Sequence, residues 1–313
     1  MTPYIFLILG LLILLIGGKI LVDGASSIAL KLGMSAGLIG LTIVAFGTSA
    51  PELLVSLNAA LKGNSDISIG NVVGSNIANI GLVLGLSGLF YPIIISRSHL
   101  RFDYSLMVIV TIAFYLLSLN HEIGFWKGIL LFGGFVAFNG FLFRNLGKGI
   151  KEEEKIVEEE IEEVKNYSWI ASFALFAGGI IGLYFGSDLL VTNAVEISRD
   201  FGVSERVIGV TIIAIGTSLP ELITSIMAAI SKRTDLALGN ILGSNIMNIL
   251  SIIGLTAIIK PIAVSHEFLQ SDYLWMIGFS IILFPLMKTK MRISFLEGSL
   301  LLLVYGAYLY FLL

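Results

Sequence analysis

Apolar runs recur along this chain, separated by short polar interruptions. Most are about 18 residues or longer, enough for a helix to cross the hydrocarbon core of a bilayer. The pattern predicts ten spans. The first five cover 4–24, 36–60, 67–91, 102–119 and 124–143; the second five cover 168–195, 204–230, 236–259, 272–287 and 293–312. Between them lies 144-RNLGKGIKEEEKIVEEEIEEVKNY-167, the only long polar stretch. It reads as a solvated linker helix on one membrane face, with a regulatory cation site on its eight glutamates as the weaker alternative.

Sliding the sequence by 169 positions aligns 39–93 with 208–262 without a gap, and 27 of those 55 positions are identical. Upstream, Gly17 falls on Gly186, Leu21 and Val22 on Leu190 and Val191, and Gly33 on Gly202. The whole half is duplicated. Each copy holds five spans, and an odd number sends the second copy into the membrane from the opposite side. The expected fold is an all-α membrane protein of ten transmembrane helices in two inverted five-helix repeats, 1–143 and 168–313, joined by the linker 144–167. Such repeats place a transported substrate at their interface near the bilayer midplane.

Composition agrees and narrows the classes. Hydrophobic residues make up 56% of the 313 and charged residues 13%, against about a quarter charged in a soluble domain. The net charge of −3 points to no nucleic-acid partner. There are no cysteines, so no disulfide, thiolate metal site or cysteine nucleophile. The first apolar run lacks a basic leader and a small-residue cleavage site, so 4–22 reads as a retained span. With the N-terminus outside, 13 Lys and Arg fall in cytoplasmic loops and 5 in outer loops, with Lys19 inside the first span. That bias places both termini outside and the linker in the cytoplasm.

The chemistry concentrates in one repeated string, 47-GTSAPELLVS-56 and 216-GTSLPELITS-225. Glu52 and Glu221 stand in the middle of spans 2 and 7. A charge at that depth costs roughly 2.5–3.5 kcal/mol, offset only by a cation, a water-filled cavity or protonation. No Lys or Arg occupies the central turns of spans 2, 3, 7 or 8. An external cation is therefore the simplest partner. Thr48, Ser49, Glu52 and Ser56 share a helix face, and Thr217, Ser218, Glu221 and Ser225 copy them. Pro51 and Pro220 lack an N–H and release the carbonyls of Gly47 and Gly216. Carboxylates, hydroxyls and freed carbonyls form an all-oxygen set suited to hard cations such as Ca2+ and Na+.

Spans 3 and 8 add 70-GNVVGSNIANIG-81 and 239-GNILGSNIMNIL-250. Ser75 with Asn79, and Ser244 with Asn248, lie one turn apart on one face. Gly70, Gly74, Gly239 and Gly243 have the spacing of close helix packing, equally open to ligand approach. Asn71, Asn76, Asn240 and Asn245 read as interhelical hydrogen bonders. Asp66 and Asp235 read as N-caps at span starts. His99, His121 and His266 fall at span ends and read as interfacial or solvated. A polar cluster that merely joins helices suits one Ser or Asn; it does not suit two carboxylates, each beside a proline and each duplicated.

At these residues the sequence resembles the cation/Ca2+ exchanger superfamily, and within it the prokaryotic Na+/Ca2+ exchangers. The signature GTSxPE followed by GNxxGSNxxN is present in full at 47–52 and 70–79, and again at 216–221 and 239–248. The H+-coupled Ca2+ branch carries Asn and Thr before its glutamate, where this chain has Pro51 and Pro220. The resemblance implies a secondary antiporter in a prokaryotic inner membrane, exchanging three Na+ for one Ca2+ by alternating access and moving net charge. It implies Ca2+ ligands at Glu52, Glu221, Thr48 and Thr217. It implies Na+ sites at Ser49, Ser75, Ser218 and Ser244 and at the carbonyls of Ala45 and Ala214, with Asn79 and Asn248 completing the centre. It also implies that spans 1 and 6 slide across the bundle, for which Gly17, Gly18 and Gly186 offer a smooth face, simple packing being an equal reading. Relatives that use K+ carry an Asp where this chain has Asn248, so K+ independence is expected. The alternatives are Ca2+/H+ exchange, K+-dependent exchange and, more distantly, a cation channel. One chain supplies both halves of the site, so a monomer suffices. No nucleophile lies beside a base at mid-membrane depth, which speaks against an enzyme, and no cofactor is expected beyond the transported ions.

Overall fold

The computed structural model describes residues 2–144, 165–201 and 214–312. Most of the expected linker and the first part of the expected seventh span lie outside them.

The apolar runs form helices. Helix α1 (Thr2–Leu32) is followed by α2 (Ala36–Thr48) and α3 (Ala50–Leu61), which meet at a 45° bend. Next come α4 (Ser65–Phe90), α5 (His99–Ser118) and α6 (Phe125–Arg144). The second half holds α7 (Trp169–Asp200), α8 (Ala214–Thr217), α9 (Leu219–Ile230), α10 (Thr234–Ile259), α11 (Phe268–Lys288) and α12 (Phe295–Leu312). Among the described residues, eight helices are long and apolar enough to cross a membrane, and the bent pair α2–α3 makes a ninth. The expected span 204–230 is described only from Ala214 onward, as α8 and α9.

Short strands tie the helix ends together. The strand β1 (Ile93–Ile94) pairs antiparallel with β4 (Arg292–Ile293), placing Ile93 opposite Ile293. Its partner arrangement is β2 (Glu122–Ile123) with β3 (Ile262–Ala263), placing Ile123 opposite Ile262. Each pair joins one half of the chain to the other, at opposite ends of the bundle. The first end also holds Lys31, whose Nζ donates to Asn166 Oδ1 at 2.8 Å; it is the linker face. The other is the far face.

Helices α4 and α10 form the centre. Every residue of α10 from Thr234 to Met247 is buried. Its glycines permit this: a Cβ at Gly239 would stand 2.2 Å from the Gly37 carbonyl oxygen, and one at Gly243 2.5 Å from that of Leu41. At these two positions the close-packing role holds. Both central helices widen into a π-helical turn, at Asn79–Leu84 and Asn248–Ile253, and α2 does so at Gly40–Val44. Such turns concentrate at functional sites.

Helices α1 and α7 cross the outside of this core as a pair. Gly10, Gly17 and Gly24 of α1 abut the backbone of α7 at Leu190, Leu183 and Phe176, while Gly179 and Gly186 abut Leu21 and Leu14. Of the two readings of Gly17 and Gly186, packing holds, and neither faces the bundle as a sliding surface. They press α1 and α7 against each other. Only Gly18 faces the core, against Ile223 of α9.

Two further expectations change. The residues preceding α4 and α10 are Asn64 and Arg233, and neither caps its helix through its side chain. Asp66 is exposed in the first turn of α4, and Asp235 is buried in that of α10. His99 is 5% exposed, not solvated. Its Nδ1 lies 2.8 Å from Ser96 Oγ and 3.6 Å from Asp235 Oδ1, and its Nε2 lies 3.7 Å from Asp103 Oδ2. The two carboxylates give a buried imidazole polar company, and of them only Asp235 is hidden by distance along the chain. His121 and His266 are exposed, as expected, with ring centroids 5.7 Å apart.

Candidate functional site

The helices α2 and α3 break at Ser49 (φ −86°, ψ 7°), and α8 and α9 break at Ser218 (φ −89°, ψ 6°). Pro51 and Pro220 cause both breaks, since neither can donate to the preceding turn. Each proline then sits in the first turn of the next helix, where the missing N–H costs nothing. The freed Gly216 carbonyl accepts a 2.8 Å hydrogen bond from Ser187 Oγ of α7.

One turn past each break stands a glutamate. Glu52 is 1% exposed and Glu221 0%. Glu52 lies one turn from Ser49, whose hydroxyl reaches Glu221. Ser49 Oγ donates to Glu221 Oε1 at 2.8 Å. Thr48 Oγ1 lies 3.2 Å from Asn240 Oδ1 and 3.3 Å from the Ala45 carbonyl oxygen, which also accepts the Ser49 N–H at 3.0 Å. Asn240 in turn donates to Ser225 Oγ at 3.1 Å. Ser218 Oγ donates weakly to Ser75 Oγ at 3.4 Å, and the Ser218 N–H bonds the Ile215 carbonyl at 3.1 Å. Ser244 Oγ lies beside the Glu221 carboxylate without a hydrogen bond of ordinary geometry. Ala214 opens α8, one turn before the break. Thr217 lines a cavity described below.

The two amides are oriented by a crossed pair. Asn79 Nδ2 donates to Asn245 Oδ1 at 3.1 Å, and Asn248 Nδ2 donates to Asn76 Oδ1 at 3.1 Å. Asn76 and Asn245 are themselves held: Asn76 Nδ2 donates to the Asn245 carbonyl at 3.3 Å, and Asn245 Nδ2 to Met107 Sδ at 3.5 Å. With their N–H groups engaged, Asn79 and Asn248 present carbonyl oxygens. The sequence marked Asn76 and Asn245 only as hydrogen bonders. Their place in the repeated GSNxxN string was the available signal.

Buried polar atoms are normally paired. Here Glu52 Oε1 and Oε2, Glu221 Oε2, Asn79 Oδ1, Asn248 Oδ1 and Ser244 Oγ are buried without a hydrogen-bond partner. Five are acceptors only, and the sixth is a hydroxyl. Among the described residues, no Lys or Arg pairs with either glutamate. Hard cations take roughly six to eight oxygens, and this donor set fits them. No cluster of three or more His, Cys, Asp or Glu that could hold a metal ion occurs among the described residues.

A cavity of about 600 Å3 leads toward this centre from the far face. Pro51, Gly216 and Thr217 line its inner end, Asp188 of α7 its wall, and Lys62 and Asn64 its mouth.

A family model described as sodium/calcium exchanger protein matches residues 2–144 and 171–313. The chain belongs to the sodium/calcium exchanger protein family. This exchanger is 40% identical over 313 positions to CaxA of Alkalimonas amylolytica, covering 98% of each chain. It is 33% identical over 343 positions to the sodium/calcium exchanger MaX1 of Methanosarcina acetivorans, covering 98% of this chain and 97% of that one. Among solved structures it resembles the sodium-calcium exchanger NCX_Mj soaked with zero Na+ and Ca2+. The TM-score is 0.85 at 30% identity, covering 99% of each chain. The exchanger is thus a multi-pass, mostly helical membrane protein with an NCX_Mj-like fold.

Proposed function

We propose that this chain is a secondary antiporter that exchanges Na+ for Ca2+ by alternating access, three Na+ to one Ca2+, with net charge moved. The observation that carries the reading is the meeting of Glu52 and Glu221 with unpaired, acceptor oxygens around them and, among the described residues, no Lys or Arg paired with either. A pair of carboxylates balances one Ca2+ or two Na+; a third Na+ rests on neutral oxygens. Both ions need the same carboxylates, so occupancy by one excludes the other, and competition of that kind produces exchange. In this reading Glu52, Glu221, Thr48 and Thr217 hold Ca2+. Ser49, Ser75, Ser218, Ser244 and the carbonyls of Ala45 and Ala214 hold Na+, and Asn79 and Asn248 complete the centre.

The architecture proposed is ten spans in two inverted repeats, 1–143 and 168–313, with 144–167 as a cytoplasmic linker and both termini outside. The strand pairs support it: replacing Ile93 by Ile262, its equivalent at the 169 spacing, and Ile293 by Ile123, one residue off that spacing, turns one pair into the other. So do the crossed amides, since the bond from Asn79 to Asn245 becomes that from Asn248 to Asn76 under the same exchange.

The test is uptake of radiolabelled Ca2+ into proteoliposomes loaded with Na+. Uptake should require the outward Na+ gradient, respond to membrane potential at about 2.3 kcal/mol per charge per 100 mV, and ignore K+. Uptake driven by a pH gradient without Na+ would sink Na+ coupling in favour of Ca2+/H+ exchange. A requirement for K+ would overturn the role given to Asn248.

A further inference from the structure

The repeat makes the two routes to the centre comparable, residue by residue. The far-face cavity is lined by Pro51, Asn58, Ala59, Asn64 and Ser187 among others. Their repeat equivalents are Pro220, Met227, Ala228, Arg233 and Gly18. On the linker face those positions are packed shut. Pro220 is buried where Pro51 is half-buried, and α1 lies on α9 so closely that a Cβ at Gly18 would stand 2.6 Å from Ile223 Cγ2 and 3.3 Å from Met227 Cγ. One ion pair spans this closed route. Arg233, between α9 and α10, is 8% exposed; its Nη1 donates to Asp23 Oδ1 of α1 at 2.9 Å and to the Val22 carbonyl at 3.1 Å. Lys19, one turn earlier on α1, lies 3.9 Å from the other oxygen of Asp23. The repeat equivalents of Arg233 and Asp23 are Asn64 and Thr192, both neutral. Asn64 lines the mouth of the open cavity.

We infer that Arg233 and Asp23 position α1 as an ionic latch on the linker-face route, and that this one-sided latch biases the exchanger toward the state open to the far face. A partly buried, hydrogen-bonded ion pair is strongly disrupted when one partner is removed, so opening this route must break a contact that the neutral equivalents Asn64 and Thr192 cannot make on the other. The inference rests on the alternating-access reading, because a latch has meaning only where α1 moves.

Labelling of single cysteines tests it, and the native chain has none to remove. Full-length Met227→Cys reports the linker-face route and Asn58→Cys the far-face cavity. Both are reconstituted in liposomes and exposed to a membrane-impermeant maleimide on one face at a time. In the otherwise native chain, Asn58→Cys labels from the far face and Met227→Cys labels slowly from the linker face. Adding Arg233→Asn or Asp23→Thr, the residues of the opposite repeat, raises Met227→Cys labelling several-fold and lowers that of Asn58→Cys. The two together do no more than Arg233→Asn alone, because the Asp23 contact is already lost with the guanidinium. The two variants stand at opposite ends of the contact, so one that fails to fold leaves the other decisive. Arg233→Lys, which keeps the charge, serves as a third and labels slowly like the native chain. Unchanged Met227→Cys labelling in a monodisperse variant overturns the latch. A native chain without Na+-dependent Ca2+ flux sinks the exchange reading instead, a result that labelling does not enter.

Discussion

Ser49 Oγ donates a 2.8 Å hydrogen bond to Glu221 Oε1, so a hydroxyl from one sequence repeat holds the carboxylate of the other. The site is built between the copies, not twice within them. Removing a hydrogen bond to a charged group costs about 1.5–3 kcal/mol. Ser49→Ala should therefore raise the half-saturating Ca2+ concentration for uptake about tenfold or more. An unchanged value would remove this bond from ion binding.

Glu52→Gln and Glu221→Gln each leave a single carboxylate for a divalent ion. Losing one member of a buried charge partnership costs about 2–5 kcal/mol, so Na+-driven uptake should fall about thirtyfold or more. Ca2+ should raise the melting temperature of the native protein, since binding to the folded state stabilises it, and should do so far less in either variant. Full uptake in one of them would exclude that residue from the site.

Asn245 clamps the Asn79 amide through a 3.1 Å bond. In Asn245→Leu the Asn79 N–H loses its acceptor, a loss of about 1–3 kcal/mol, and the amide is free to turn an N–H toward the cation. Calorimetric titration should show Ca2+ affinity about tenfold weaker, with Asn248 still clamped by Asn76. Native affinity in a well-folded variant would mean that the crossed amides do not orient the ligands.

Asp188 lines the far-face cavity together with Thr217. Its charge draws cations inward over a distance comparable to the Debye length, about 10 Å at 0.1 M salt. Asp188→Asn should raise the half-saturating Ca2+ on that face by about two- to fivefold at low ionic strength, through slower encounter. Maximal flux should stay the same and the difference should shrink in high salt. A salt-independent effect would place Asp188 in the binding site itself.

Much of this was legible along the chain. Hydropathy located the helices because each membrane-spanning backbone must satisfy its own hydrogen bonds, which leaves helix as the local solution. The duplicated GTSxPE and GNxxGSNxxN strings located the glutamates, the hydroxyls and the two amides, because a proline break and an acid have few other uses at that depth. His99 was misjudged from the same evidence. Proximity to a span end predicts solvation, yet Asp103 and Asp235, 4 and 136 positions away, receive the ring.

The sequence by itself determined most of the helices, the duplicated strings and the oxygen-bearing residues, since these follow from local solvation cost and local backbone geometry. Only the tertiary structure decided which partner each of those residues faces. Asn79 with Asn245, Ser49 with Glu221, and Gly17 with α7 are contacts across well over a hundred residues of chain. Arg233 with Asp23 is another, and the tight repeat offers no hint of it because the two copies differ there. Such pairs are set by how closely the helices pack, and the glycines that permit the approach state only that something comes near.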